Sequence, residues 1–246
     1  IVYARVLLCY YTDHLPEACV QAKAAVDYCQ SLSLQSETVR FLLLLCRIYM
    51  KLPGTSHMLA IPAVLQSVAL AKSLNHTAHY VSGTLQLCHI LLTLKDLDAT
   101  RGLLRQVQRY HLQNTTHEQR AQYHLLCAQL HFHDALQLHN DRELSASRVS
   151  PPDEDGDMSL DSPARHLDSQ SEEWQERQRA AQEHQLICKG FEELQQCEQV
   201  LEKMQYLQEL CALHHLRACM LHSLGRGPER NCSARQFVEA QRMLQS

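Results

Sequence analysis

Leu8-Cys9, Leu45-Cys46, Leu87-Cys88 and Leu126-Cys127 are four copies of one dipeptide, spaced at near-regular steps of about 40 residues. Each copy lies in an apolar stretch with helical spacing, and a predicted turn follows each stretch. Self-similarity at such a period is typical of stacked helix pairs. We therefore predict an array in which the dipeptide marks a recurring buried contact. The predicted packing residues are Cys9, Leu45, Cys46, Leu87, Cys88, Leu126, Cys127 and, from the variant Ala218-Cys219, Cys219.

The composition favours an all-α protein and argues against several functional classes. The 246 residues are 45% hydrophobic and include only seven glycines and seven prolines, as expected for long helices around a continuous core. A net charge of −4 with dispersed Lys and Arg predicts no nucleic-acid groove. The apolar stretch 2–11 is short and contains Arg5, so we expect no membrane partner. Because the chain begins with Ile1 and not Met, we expect a piece of a longer protein, with apolar surface exposed at that end.

The cysteines are interpreted as structural residues and not as catalytic ones. Most of the eleven lie beside Leu or Ala in predicted helices, which is typical of reduced, buried thiols in an intracellular protein. Apolar burial would raise the pKa of such thiols and weaken them as nucleophiles. The chain has no glycine-rich phosphate loop and no Gly-x-Ser-x-Gly motif. We expect no catalytic residue, no cofactor and no small-molecule substrate.

Two stripes of histidine and cysteine raise the alternative of zinc or thiol chemistry. The stripes are His124, Cys127 and His131 on one predicted helical face, and Cys211, His215, Cys219 and His222 on another. The second stripe would extend about 16 Å at the helical rise of 1.5 Å per residue. One zinc ion reaches ligands only about 2 Å away. We therefore predict no metal site, with the cysteines facing the core and the histidines lying between helices.

A change in composition divides the chain into three segments. The segments are a helical-repeat array over 1–140, an acidic Ser/Pro-rich disordered insertion over 141–171, and a continuation of the array with a C-terminal helix pair over 172–246. Between Ser150 and Glu173 there are eight acidic residues and only one basic residue, too few apolar residues to offset the entropy of ordering. Ser150-Pro151 and Ser162-Pro163 are candidate phosphorylation sites for proline-directed kinases, the alternative being a solubilising loop without a regulatory role.

Capping and breaking residues predict where several helices begin and end. Pro16 lies in the first turn of one helix, and Thr116 with Gln119 forms a capping box at the start of another, which is expected to end near Leu138. After the insertion, helix is expected to resume at Glu172 and to break near Lys203. The run Gly225-Arg226-Gly227-Pro228 should end the next helix, and Asn231 or Ser233 should cap the last one.

Two blocks of the sequence resemble a known family. The blocks are LAIPAVLQSVALAK over 59–72 and LHSLGRGPERNCSARQF over 221–237. They are similar to the C-terminal repeat region of the subunit five family of the anaphase-promoting complex, or cyclosome, and the order of helices between the blocks agrees. The resemblance implies a right-handed superhelical solenoid of tetratricopeptide-like helix pairs. The acidic insertion is longer than the family pattern implies.

The resemblance also implies a function. The family contributes a non-catalytic scaffold to the platform of a cullin–RING ubiquitin ligase that controls mitosis, so the expected partners are the other platform subunits and the cullin–RING module, in nucleus and cytoplasm. The alternative is a helical-repeat adaptor for short peptides outside that complex. Arrays that clamp peptide carboxylates place Lys and Arg on groove-lining helices, but the stretch 77–94 contains neither residue, which argues against this alternative.

Overall fold

A computed structural model describes residues 1–53, 57–110, 115–148 and 163–245. Within these ranges the chain forms ten α-helices and no β-strand, which confirms the all-α prediction. None of the described helices is both long enough and apolar enough to cross a membrane. The helices are α1 (Val2–Tyr11), α2 (Leu15–Ser31), α3 (Gln35–Lys51), α4 (His57–Ser73), α5 (Thr77–Thr93), α6 (Leu97–Tyr110), α7 (His117–Arg148), α8 (Pro163–Met204), α9 (Leu207–Ser223) and α10 (Gly227–Gln245).

The helices fall into two compact units. The first unit comprises Ile1–Leu126 with Val200–Gln205, and the second comprises Cys127–Gln199 with Tyr206–Ser246. In the first unit each helix from α1 to α5 packs against the next one along the chain, and α3 also contacts both α1 and α5. In the second unit α9 packs against α10. Contacts between sequence neighbours and between alternate helices give the first unit a local, repetitive packing order.

Small residues on α2 and α4 form the inner faces against which α3 and α5 pack. Buried positions recur at the same distance from the ends of α2 and α4, with Ala18 equivalent to Ala60 and Ala22 equivalent to Val64. Small side chains let helix axes approach closely, so the long apolar residues of α3 are covered on several sides. The buried apolar residues of α3 are Val39, Phe41, Leu42, Leu43, Leu44, Leu45, Cys46, Ile48 and Tyr49.

Short turns with one left-handed residue connect most of the neighbouring helices. Asp13, Ser33, Asn75, Lys95, Gln205 and Gly225 all have φ between 53° and 69°. The interval from Asp13 to Ser33 is the same as that from Asn75 to Lys95 and from Gln205 to Gly225. One helix with its turn therefore occupies about 20 residues at these places, which is half of the period of the array.

The turns at Asp13, Ser33, Asn75, Lys95 and Gly225 are Schellman C-caps. The amide of the residue after the left-handed position donates to a carbonyl five residues earlier, as in Leu34 N to Cys29 O at 2.8 Å and Arg226 N to Leu221 O at 2.9 Å. This bond satisfies a carbonyl that the end of the helix would leave unpaired. The sequence motif is a hydroxyl residue, then leucine, then the left-handed residue. It occurs as Ser31-Leu32-Ser33, Ser73-Leu74-Asn75, Thr93-Leu94-Lys95 and Ser223-Leu224-Gly225.

The structure corrects the predicted boundaries of the insertion. Helix α7 continues to Arg148, beyond Leu138, and α8 begins at Pro163 and not at Glu172, so 141–148 and 163–171 are helical and not disordered. In the α7 extension, Arg142 is paired with α8, since its Nε lies 3.3 Å from Glu176 Oε1. The prediction from composition assumed that such charged side chains are solvated. The remaining residues, 149–162, lie outside the described part of the chain, and the candidate phosphorylation sites Ser150 and Ser162 lie there.

Other predicted boundaries are confirmed, with one exception. The Thr116 and Gln119 capping box is formed, since Thr116 N donates to Gln119 Oε1 at 3.0 Å and Gln119 N donates to Thr116 Oγ1 at 3.2 Å. Helix α2 includes Pro16 in its first turn, and α8 ends at Met204, next to the predicted break. The exception is α10, which begins at Gly227 and not near Asn231 or Ser233. Pro228 fits the first turn of this helix, because proline has no backbone N–H and first-turn N–H groups have no partner within the helix.

Glycine substitutions in two turns should shift stability in opposite directions. Lys95→Gly should raise the free energy of unfolding by about 0.5–1 kcal/mol, because a left-handed conformation is costly for a residue with a Cβ. Gly225→Ala should lower the free energy of unfolding by about 1–2 kcal/mol, because φ is 69° there and alanine disfavours this conformation. A Cβ at this position would meet no atom within 4 Å, so no steric clash adds to the cost. Urea unfolding followed by circular dichroism measures both changes. Equal effects of the two substitutions would contradict the turn geometry.

Two helical glycines provide a matched test of the α4–α5 contact. A Cβ at Gly83 would lie 2.7 Å from Val68 Cγ2, whereas a Cβ at Gly102 would meet nothing within 4 Å. Gly83→Ala should therefore destabilise the protein by about 1–3 kcal/mol through overpacking. Gly102→Ala should stabilise it by about 0.5–1 kcal/mol, because alanine favours the helix. Thermal unfolding measures the stability of both variants. A stabilising effect of Gly83→Ala would contradict the close approach of α5 to α4 at this position.

Candidate interaction surface

The predicted packing residues differ widely in burial. Cys46, Cys88 and Leu126 are almost completely shielded from solvent, and Leu45 and Cys127 are also buried. Leu87 is only partly buried. The prediction of a buried contact is wrong for Cys9, which is half-buried, and Cys219, which was predicted as a packing residue, is exposed.

The distance from the end of the helix explains why Cys9 and Cys219 are not buried as Cys46 and Cys88 are. Cys46 and Cys88 each lie five residues before the last residue of their helix, and both are fully buried. The equivalent position is Val6 in α1, which is fully buried, and Ala218 in α9, which is partly buried. Cys9 and Cys219 lie after those positions, and each residue of displacement rotates a side chain by about 100° around the helix axis. The recurring contact therefore follows the turn and not the cysteine.

The most buried thiols are poor nucleophiles. Burial raises the pKa of Cys46 to about 12 and, with nearby glutamates, raises the pKa of Cys197 to about 12. Burial also raises the pKa of Cys29 and Cys211. A thiol that stays protonated near neutral pH attacks electrophiles slowly, so these cysteines are suited to packing.

The two histidine and cysteine stripes do not converge on a metal site. In the second stripe Cys211 is buried, whereas His215, Cys219 and His222 are exposed. Arg230 Nη1 donates to His222 Nδ1 at 3.3 Å. In the first stripe Cys127 is buried and His124 and His131 are partly buried. Among the described residues, no group of three or more His, Cys, Asp or Glu side chains could hold a metal ion.

A buried glutamine connects the start of α7 to α5. Gln119 Nε2 donates to Ala78 O at 2.7 Å and to Ser82 Oγ at 2.8 Å, while its Oε1 accepts from Thr116 N. Its side chain therefore serves both as a helix cap and as a link to α5. A buried amide whose hydrogen bonds are formed fixes one relative position of two helices, because sliding would leave polar atoms unpaired.

Arg47 makes a second polar link among the odd-numbered helices of the first unit. Its Nη2 lies 3.2 Å from Glu118 Oε1 of α7. With the Gln86 amide oriented so that both of its atoms have partners, Arg47 Nε donates to Gln86 Oε1 at 3.0 Å, and Gln86 Nε2 donates to Leu43 O at 3.2 Å. These contacts join α3, α5 and the start of α7, and a register shift of any one helix would break them.

Ion pairs also join helices within the second unit. Glu198 of α8 accepts from Arg217 Nη1 of α9 at 2.9 Å, and its other oxygen lies 3.8 Å from His214 Nδ1. Glu183 of α8 lies 3.1 Å from His139 Nδ1 of α7. The aromatic rings of Phe132 and Phe191 meet edge to face between α7 and α8, with centroids 5.3 Å apart.

The first unit exposes a group of large apolar side chains on α1 and α2, called here the α1–α2 face. Its members are Val2, Leu8, Tyr11, Val20 and Tyr28. Leu8 and Tyr28 have exposed fractions of 63% and 65%. Ile1 is exposed as well. Single exposed apolar residues are ordinary, but this group places five of them on two helices that pack against each other. The α1–α2 face is therefore the candidate interaction surface of the first unit.

Comparison with known proteins assigns no family. No protein-family model matches the chain, and no curated protein matches it either. The likeness to the anaphase-promoting complex subunit therefore depends on the two sequence blocks. The first block lies within α4, and the second runs from the end of α9 through its turn into α10.

Substitutions at Cys88 should separate a packing role from a chemical one. Cys88→Ser should lower the free energy of unfolding by about 1–3 kcal/mol, because a hydroxyl is costly to bury in an apolar site. Cys88→Ala should cost less, since it buries no polar atom. Cys219→Ser is the matched control and should have almost no effect, because Cys219 is exposed. Denaturant unfolding measures all three, and equal losses at Cys88 and Cys219 would contradict the assigned burial.

Protonation of His79 should weaken the first unit in mild acid. Burial, His76 and Arg40 lower the pKa of His79 below its usual 6.5, against an opposing effect of Glu37. The folded state therefore binds fewer protons than the unfolded state, so the contribution to stability is fully present above pH 6.5 and is lost as pH falls through the folded pKa. His79→Gln should flatten the decrease in stability between about pH 7 and pH 5. An unchanged pH dependence would contradict this assignment.

Proposed function

We propose that the chain is a non-catalytic scaffold subunit of the anaphase-promoting complex, a cullin–RING ubiquitin ligase that controls mitotic progression. In this role its helical surface holds other platform subunits in place while ubiquitin transfer occurs elsewhere in the complex. The expected partners are the platform subunits and the cullin–RING module, in the nucleus and cytoplasm. No nucleic acid, membrane or small-molecule substrate is part of the proposal.

The observation that carries the scaffold role is the repeated unit of one helix and one capped turn. Helices joined by the same turn and packed against their neighbours make an elongated protein surface from simple units. We infer that the helix pairs are tetratricopeptide-like and stack as a right-handed solenoid. Broad surfaces of this kind bind folded proteins through many contacts, which suits a subunit that holds others together.

The assignment to this particular complex is supported by the two sequence blocks. The block 59–72 supplies the small buried residues Ala60, Ala63, Val64, Ser67 and Ala71 of α4. The block 221–237 includes the turn around Gly225 and the first part of α10. Both blocks therefore contribute residues to helix packing or to the turns between helices, and are not confined to the exposed surface. The absence of a role in catalysis is supported by the raised pKa values of Cys46 and Cys197.

Co-purification from cells tests the proposed function. The tagged protein, isolated under conditions that keep large complexes intact, should migrate with the cullin–RING subunits. Leu8→Asp combined with Tyr28→Asp should reduce this recovery, because charges on the α1–α2 face oppose apolar docking. The matched control is Leu65→Asp, at an exposed leucine of α4, which should leave recovery unchanged when circular dichroism confirms folding.

Two outcomes would contradict the proposal. The scaffold assignment fails if the wild-type protein does not migrate with the cullin–RING subunits. Recovery of short peptides in place of those subunits would favour the adaptor alternative, in which a few groove residues have large effects. If the wild-type protein is recovered but the Asp substitutions have no effect, the α1–α2 face is not the docking surface.

A further inference from the structure

Two exposed cysteines of the second unit each lie beside a histidine located one helical turn earlier. Cys219 Sγ lies 3.6 Å from His215 Nε2 on α9, and Cys188 Sγ lies 3.7 Å from His184 Nδ1 on α8. All four side chains belong to exposed residues. They lie outside the buried core, and the four-residue spacing on one helix brings each thiol within hydrogen-bonding distance of its histidine.

The separation between sulfur and nitrogen is the one that a tetrahedral metal ion requires. With Zn–S near 2.3 Å and Zn–N near 2.0–2.1 Å, two ligand atoms of a tetrahedral zinc site are about 3.6 Å apart. Both pairs already have this separation, so binding requires little movement of the histidine or the cysteine. Thiolate and imidazole are also the ligands that zinc and similar divalent ions prefer.

An aromatic contact from α10 supports the orientation of His215. The ring of Phe237 lies 5.6 Å from the His215 ring, centroid to centroid, at an interplanar angle of 49°. A ligand whose ring is held by a neighbour loses less rotational freedom when it binds a metal. His222, one turn beyond Cys219, is held by Arg230 instead. The described residues supply no third ligand, so two coordination positions remain for water or for side chains of another molecule.

We propose that His215 and Cys219 form a two-residue, solvent-open site for a thiophilic divalent cation of the zinc class, and that His184 and Cys188 form a second one. On binding, the thiol proton goes to solvent and a sulfur–metal bond replaces it, while the imidazole binds in its neutral form. Metal affinity therefore falls with increasing acidity, because protons compete with the metal for both ligands. This proposal does not depend on the proposed scaffold function.

Titration of the reduced 246-residue chain with Cd²⁺ tests the proposal. Bound thiolates give an ultraviolet charge-transfer absorption, and its saturating intensity should correspond to both sites. Cys219→Ser and Cys188→Ser should each remove about half of that absorption, because each removes one of the two sulfur ligands. Zn²⁺ added in competition should displace Cd²⁺ and abolish the signal. Circular dichroism recorded during the titration confirms that the helices, and hence the buried cysteines, stay folded.

Two control variants distinguish paired ligands from isolated thiols. Cys232 of α10 is equally exposed but has Pro228, not histidine, four residues earlier, so Cys232→Ser should leave the absorption unchanged. His215→Ala keeps the Cys219 thiol and should raise the Cd²⁺ concentration at half-saturation of that site at least about tenfold, because one of two coordinate bonds is lost. An equal loss with Cys232→Ser, an unchanged affinity with His215→Ala, or no charge-transfer absorption would overturn the proposal.

Discussion

The left-handed residue in the turn between helices is the constraint on which the array depends. A helix can bury only one side against its neighbour, so the chain must reverse soon after each helix ends and return at a fixed distance. The Schellman bond achieves this reversal by satisfying a terminal carbonyl with the amide of the residue after the left-handed position. Because Asp13 and Ser33 are separated by the same interval as Asn75 and Lys95, equivalent faces of successive helices meet equivalent partners.

Close packing between the helices then follows from small side chains placed at a constant distance from the turn. Ala18 and Ala60 occupy equivalent buried positions in α2 and α4, and Gly83 lets α5 approach Val68 of α4. Long apolar residues of α3 fill the space between the small-residue faces. Polar contacts add positional information to this apolar packing, since Gln119 and Arg47 can form their hydrogen bonds only in one register of α3, α5 and α7. The exposed apolar side chains of the α1–α2 face remain outside this packing.

The all-α class and several helix boundaries were predictable from the sequence, but the positions of the contacts were predictable only in part. Apolar spacing is strong in α3, and turn chemistry around Pro16 and Thr116 is ordinary, so these features follow from local rules. Turns near Lys95 and Gln205 were expected from the sequence, but neither residue is glycine, so the sequence did not show that their φ is positive. Alignment on the left-handed turn residue itself, which the structure supplies at Asp13, identifies Val6, and not Cys9, as the recurring contact.

Charged and surface residues were harder to interpret from one sequence. In the extension of α7 beyond Leu138, Arg142 is paired with carboxylates of α8, and composition cannot show which charges find partners. Exposure of Leu8 and Tyr28 depends on whether a neighbouring helix covers them, which helical spacing does not reveal. The pairing of Cys219 with His215 is visible as a four-residue spacing, but only the 3.6 Å separation gives it chemical meaning.

Backbone torsion angles in solution test the central claim most directly. Nuclear magnetic resonance couplings and chemical shifts report the sign of φ at each residue of the labelled protein. The account predicts positive φ at Asp13, Ser33, Asn75, Lys95 and Gln205, with helical values on both sides of each turn. Negative φ at Asn75 and Lys95, with helix continuing through both positions, would contradict the capped turn and with it the repeating unit of helix and turn.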